Sequence, residues 1–148
     1  GICLGMQLLF TESDEFGTNK GLDLISGNVI KLPNAQRSDD EVYKVPQVGW
    51  NTIYSCPNNI IEWDKTPLKG IHEQEYMYFM HSYYVQPSDD SVVLTKTNYA
   101  GVEYCSSIYS DNVMAFQFHP ERSGKSGLAL YSNIADKIRN KNNVTLLG

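Results

Sequence analysis

Cys3 has a glycine two residues before it and another two residues after it, in the run GICLGMQLLF. A sharp strand-to-helix turn strains its central residue and leaves room only for small neighbours, as in the G-x-S-x-G turn that presents a nucleophile. A cysteine placed there sits at a helix N-terminus, whose partial positive charge and free N–H groups favour thiolate over thiol. The N–H of Leu4, next in the chain, is then placed to donate to an oxyanion. The same five residues equally describe a small buried cysteine at a tight turn.

A thiolate nucleophile needs a base, and the base needs a group that orients it. The chain has three histidines, His72, His81 and His119. His119 ends the apolar run Val113-Met114-Ala115-Phe116-Gln117-Phe118, is followed by Pro120, and has Glu121 two residues further on. One ring nitrogen could bond Glu121 while the other faces the cysteine, which is the logic of nucleophile, base and orienter. Alone, His-Pro-Glu also reads as a strand-end turn with a surface carboxylate; the cysteine turn upstream tips the balance toward catalysis.

The elements that must position these groups are legible in outline. Met6, Leu9, Phe10 and Phe16 suit one face of a helix from Leu4 to Phe16, with Gly17 as its stop. Strands are expected at Asn28–Leu32, Val45–Tyr54, Glu75–Val85, Val92–Thr97, Val102–Tyr109 and Val113–Phe118. The stretch Asn34–Glu41 reads as an exposed loop, and CPNNIIEWDKTPLKG as turn-rich with one helical turn. Leu128, Tyr131, Ile134, Ala135 and Ile138 mark a closing helix, followed by a frayed tail from Asn142 to Gly148. A strand, a turn and a helix, then several strands and a last helix, predict an α/β fold. Its sheet is expected to be open and mostly parallel, flanked by helices and carrying some antiparallel strands. Residues 1–148 read as a single domain.

Composition narrows the function. A net charge of −5 with no basic block argues against nucleic acid as the main partner. Three cysteines, Cys3, Cys56 and Cys105, give neither a CxxC pair nor an even disulfide set, so a reducing cytoplasm is the default. No apolar stretch approaches the roughly 20 residues that cross a bilayer, so no membrane partner is expected.

GICLGMQ near one end and FQFHPERSG near the other resemble the class I glutamine amidotransferases, which release ammonia from glutamine with a Cys-His-Glu triad. The resemblance implies Cys3 as nucleophile, His119 as base and Glu121 as its orienter, with Leu4 in the oxyanion hole. It also implies that Gln7, His81, Ser82 and Tyr83 bind the glutamine substrate, the last three largely through backbone groups. KVPQVGWN, HSYYV and FHPERSG, with a following Gly-Leu helix, are most similar to the glutaminase-subunit (HisH) branch of imidazole glycerol phosphate synthase. The similarity runs from Gly1 to about Lys137.

That branch implies a (β/α)8-barrel cyclase of the HisF type as heterodimer partner, reached by an ammonia channel in histidine biosynthesis. Trp50 and Arg122 would face it, whereas by residue type alone Trp50 could be a core aromatic. Tyr76, Tyr78, Tyr83 and Tyr84 read as core strand residues. No metal or organic cofactor is implied. Gln47 stands where the branch usually carries His, near the partner-facing turn. The resemblance further implies upstream strands and a glycine-rich loop supplying a second oxyanion donor, so these 148 residues read as a C-terminal portion expected to fold poorly alone. Two other functions fit the same residues: a paralogous glutaminase feeding amidation of a bacterial surface sugar, and a non-catalytic truncated or regulatory module.

Overall fold

The computed structural model describes residues 1–33, 37–38, 41–57 and 61–145. In chain order the elements are α1 (Leu4–Gln7), β1 (Phe10–Ser13), β2 (Asn19–Lys20), β3 (Ile25–Lys31), β4 (Arg37–Ser38), β5 (Glu41–Val42) and β6 (Gln47–Ser55). After them come β7 (Glu75–His81), β8 (Tyr83–Pro87), β9 (Val93–Tyr99), β10 (Val102–Ser110), β11 (Val113–Phe116) and α2 (Gly124–Thr145). Short 3-10 turns lie at Trp63–Lys65, Asp90–Val92 and Pro120–Arg122.

Nine strands form one open sheet in the order β2-β1-β3-β8-β10-β9-β6-β7, with β11 also paired to β10. The α/β class and the open sheet are as expected, and strands run both ways. Among the described residues the antiparallel pairs are the majority: the β1–β3 pair and the Ile2–Phe116 bridge are parallel. The reason is the connections. Ala100-Gly101 joins β9 to β10 and Asp111-Asn112 joins β10 to β11, with Ala100, Gly101 and Asp111 at positive φ. Two-residue turns of this kind can only close antiparallel hairpins.

Strand alternation divides the core into two clusters. Leu94, Tyr104, Phe116 and Phe118 face one way, with Phe79 and Leu130. Their neighbours Val93, Cys105 and Ala115 face the other, with Met6, Phe10 and Val29.

Three expectations change. The helix foreseen from Leu4 to Phe16 stops at Gln7, because the backbone beyond it is claimed by strand pairing. Leu9 C=O accepts from Leu24 and Ile25 N–H, and Phe10 C=O from Asp23 N–H, so tertiary hydrogen bonds override the helical pattern. Phe16, assigned to the helix face, is 98% exposed. The strand foreseen from Glu75 to Val85 is two strands, since β7 pairs with β6 while β8 pairs with β3 and β10. The chain changes partners at Ser82, whose carbonyl accepts the Leu32 N–H at 2.8 Å. Tyr76, read as core, is 58% exposed on β7.

Of the loop foreseen at Asn34–Glu41, Arg37–Ser38 pairs with Glu41–Val42, and the remainder lies outside the described residues. The tail foreseen from Asn142 is helical as far as Thr145, and residues 146–148 lie outside the described residues. No helix among the described residues is long and apolar enough to cross a membrane.

Candidate active site

β11 and the turn after it assemble one edge of the site. Cys3 adopts φ 49° and ψ −107°, a conformation that costs a non-glycine residue on the order of 1–3 kcal/mol. Two bonds to the end of β11 hold it: Cys3 N–H donates to Phe116 C=O at 2.7 Å, and Phe116 N–H donates to Gly1 C=O at 2.9 Å. A Cβ on Gly1 would lie 2.5 Å from the Gly5 carbonyl oxygen, so the first glycine is required by close packing. A Cβ on Gly5 would meet nothing within 4 Å, so steric crowding accounts for only one of the pair.

His119 follows β11 two residues after Gln117, and its N–H donates to Tyr78 C=O at 2.8 Å. The Ser123 hydroxyl fixes the same point, donating to His119 C=O at 2.7 Å and accepting Tyr78 N–H at 3.0 Å. Nδ1 of His119 lies 2.6 Å from Oε1 of Glu121. Nε2 is buried and has no hydrogen-bond partner among the described residues, Cys3 included. The cysteine Sγ points toward Met80 C=O at 3.7 Å. Sulfur and histidine are therefore anchored to β7 at residues two apart, roughly 7 Å along a strand.

Burial pushes the Cys3 thiol up. The Leu4 N–H and the Gln117 side chain pull it part of the way back, while the charges of Glu121 and Glu15 push it further up. The thiolate expected from a helix N-terminus is thus outweighed, because α1 is a single turn and the sulfur is half-buried.

The other expected residues lie nearby with much of their polarity engaged. Gln7 Nε2 donates to Tyr83 C=O at 2.8 Å and to Gln117 Oε1 at 3.2 Å. His81 is buried, with Nδ1 2.9 Å from the same Tyr83 carbonyl and Nε2 3.1 Å from the Tyr104 hydroxyl. Burial lowers its pKa to about 4, so the ring is neutral near pH 7. Gln47 is only 2% exposed and its Oε1 accepts from Tyr104 at 2.8 Å. It therefore points into the core, because alternation along β6 turns its side chain inward.

Trp50 is 55% exposed, which excludes the core-aromatic alternative. Its ring meets Tyr78 edge-on at 5.9 Å, and Arg122 lies over the Tyr78 ring at 4.5 Å. Arg122 also reaches Met80 Sδ at 4.0 Å. Trp50, Tyr78, Met80 and Arg122 form one surface on the outer side of the strand that anchors Cys3 and His119. Cys56 and Cys105 are buried and free, and burial pushes the Cys105 thiol far up, which leaves it inert.

A cavity of about 220 Å³ opens beside α1, lined among others by Leu4, Gln7, Glu12, Glu15 and Lys20. Its two carboxylates and one ammonium suit the charged end of a free amino acid. Glu15 carries no local signal, because its reach to Cys3 depends on the chain turning back after α1. Gln117 did carry a signal: it is the one polar residue among Met114, Ala115, Phe116 and Phe118. Among the described residues no group of three His, Cys, Asp or Glu side chains is placed to hold a metal.

Residues 1–137 match the family described as glutamine amidotransferase class-I. The chain is 46% identical over 136 residues to the imidazole glycerol phosphate synthase subunit HisH of Syntrophotalea carbinolica, covering 92% of this chain and 63% of that protein. It is 47% identical over 137 residues to the subunit HisH of Aquifex aeolicus, covering 93% of this chain and 59% of that protein. The subunit HisH of Methanothermobacter thermautotrophicus is 48% identical over 139 residues, 94% of this chain and 62% of that protein. The chain thus spans less than two thirds of the length of these curated relatives.

Proposed function

The chain belongs to the class-I glutamine amidotransferases, and on that premise we propose that it carries the glutaminase chemistry of an imidazole glycerol phosphate synthase. The observation that carries the reading is the left-handed turn at Cys3, joined to the end of β11, with the His119–Glu121 pair issuing from the same strand.

In this reading glutamine enters the cavity beside α1. Glu15 and Glu12 attract its α-ammonium and Lys20 its carboxylate. Cys3 gives its proton to Nε2 of His119, and the sulfur forms a bond to the side-chain amide carbon. The oxyanion takes the Leu4 N–H, and the resulting imidazolium is held by Glu121. The C–N bond then breaks as His119 returns the proton to the leaving nitrogen, giving ammonia and a γ-glutamyl thioester. Water, deprotonated at the same Nε2, adds to the thioester; the C–S bond breaks and glutamate leaves. The groups used are the side chains of Cys3, His119 and Glu121, the Leu4 N–H and water, and no cofactor enters.

Ammonia released into water would be protonated and lost, so the acceptor must lie against this edge. The exposed surface of Trp50, Tyr78, Met80 and Arg122 supports a partner docked there. The names of the relatives support a HisF-type cyclase barrel as that partner, consuming ammonia in histidine biosynthesis. A cytoplasmic setting goes with this reading, since Cys3 must stay reduced.

The test measures glutamate release by the full-length protein with and without the cyclase, for the parent and for Cys3→Ala. Loss of turnover in the variant and stimulation of the parent by the cyclase are expected. Unchanged turnover in Cys3→Ala would end the reading.

A further inference from the structure

Gln117 is completely buried between two phenylalanines that belong to the hydrophobic core. An amide in that place costs several kcal/mol unless both of its ends are bonded. Both are. Oε1 accepts from Gln7 Nε2 at 3.2 Å, and Nε2 donates to Cys3 Sγ at 3.6 Å.

The two bonds are not independent. Gln7 presents an N–H, having its other amide hydrogen on Tyr83 C=O at 2.8 Å. A donor can be met only by the oxygen of Gln117. Turning that amide over would set N–H against N–H at Gln7 and, since the Cys3 S–H is directed to Met80 C=O, oxygen against the sulfur lone pairs, two repulsions in place of two attractions. Gln7 therefore dictates which end of Gln117 meets the thiol. An amide whose oxygen already accepts a hydrogen bond is also a better donor through its nitrogen.

We propose that Gln117 is a positioning residue for the nucleophile, an amide oriented by Gln7 so that its N–H holds the Cys3 sulfur and favours the thiolate. The inference rests on Cys3 being the nucleophile of the proposed glutaminase. It gives Gln7 a role one step removed from substrate, as the residue that sets the direction of the relay. The charges that face the sulfur are the carboxylates of Glu121, on the turn after β11, and Glu15, after β1; both oppose ionisation. His119 follows β11 and His81 lies buried on β7, and the donors that counter the two carboxylates are the Leu4 N–H and Gln117.

The test is the pH profile of Cys3 alkylation by iodoacetamide, with the modified cysteine located by peptide mass spectrometry. It is read on the full chain, on Gln117→Met, which keeps volume and removes the donor, and on Gln117→Glu, which keeps the acceptor for Gln7. A hydrogen bond to a charged group predicts a midpoint about one pH unit higher in Gln117→Met, and alkylation near neutral pH about tenfold slower. Gln117→Glu is expected to move at least as far, and Gln7→Met in the same direction by less. Should Gln117→Met fail to fold, the other two variants decide. Profiles that superpose on the parent in folded variants would overturn the inference and leave Gln117 as core structure only. Alkylation consumes no glutamine, so failure of the glutaminase reading shows separately, as glutamate release that survives Cys3→Ala.

Discussion

Nδ1 of His119 and Oε1 of Glu121 are 2.6 Å apart, and the pairing leaves Nε2 of the same ring buried and unpartnered among the described residues. A buried ring nitrogen without a partner is uncommon, and in the proposed mechanism it is where the Cys3 proton is received. Because Nδ1 faces a carboxylate, the hydrogen of the neutral ring resides there and the lone pair is at Nε2. The pair thus fixes the tautomer a general base requires.

Glu121→Gln keeps the shape and removes the charge. We expect kcat for glutamine hydrolysis to fall roughly 100-fold or more, within the range of general acid–base catalysis. The same change should make Cys3 easier to ionise, since the Glu121 charge raises its thiol. Turnover falling while alkylation near neutral pH quickens is the expected pattern. A merely structural carboxylate would slow neither or both.

Glycine substitutions separate close packing from mere smallness. A Cβ at Gly127 would run into the Pro120 carbonyl, and Ser123 Cβ lies 3.0 Å away. Alanine in a helix normally stabilises by about 0.5–1 kcal/mol relative to glycine. Here overpacking should reverse the sign, with Gly127→Ala destabilising by about 1–3 kcal/mol in chemical denaturation. Gly5→Ala, where a Cβ meets only open space, should fold as well as the parent.

The motifs around Cys3 and His119 were legible because their chemistry is local. The glycines around Cys3 and the two-residue step from His119 to Glu121 are readable without knowing the fold. Strands Gln47–Ser55 and Val102–Ser110 were legible within two residues, because β-rich composition is local, as are the hairpin turns that flank the second. What depended on distant pairing was not. Nothing between Leu8 and Phe16 announces that its backbone is taken by the segment Gly21–Lys31, so a helical pattern was followed where a strand forms. Tyr76 and Trp50 look like core strand aromatics by type, and only the pairing of β6 with β7 at one end of the sheet order leaves their face uncovered. Gln47 stands where the resemblance places a residue near the partner face, yet the inward side of the same strand buries it.

That uncovered face gives an expected binding outcome. Trp50 meets Tyr78 edge-on, and Tyr78 carries Arg122 over its ring, so a charge at Trp50 disturbs the centre of the patch. Trp50→Glu should weaken association with the cyclase roughly 30-fold or more, as for a central aromatic anchor. Its effect on unfolding in denaturant should stay within about 0.5 kcal/mol, since the side chain is half exposed. Titration calorimetry against the cyclase reads the first and urea unfolding the second. Undiminished association would move the interface elsewhere.

His81 makes stability depend on pH. Its Nδ1 gives its hydrogen to Tyr83 C=O, and burial holds its pKa near 4, against about 6.5 in an unfolded chain. Above pH 6.5 the ring is neutral in both states and the folded chain incurs no penalty. As pH falls from about 6.5 toward 4, the unfolded state takes up a proton that the folded state refuses, so stability declines; below about 4 both bind it and the loss is complete. The total is on the order of 3 kcal/mol. His81→Asn should lower stability at neutral pH through its lost bonds, yet flatten this part of the acid limb. The quantity to follow is the parent-minus-variant difference in urea midpoint, because the remaining histidines and the carboxylates cancel in it. A difference that stays constant from pH 6.5 to 4 would mean that His81 titrates as an ordinary histidine, and that the Tyr83 carbonyl shared with Gln7 is not held by a neutral ring.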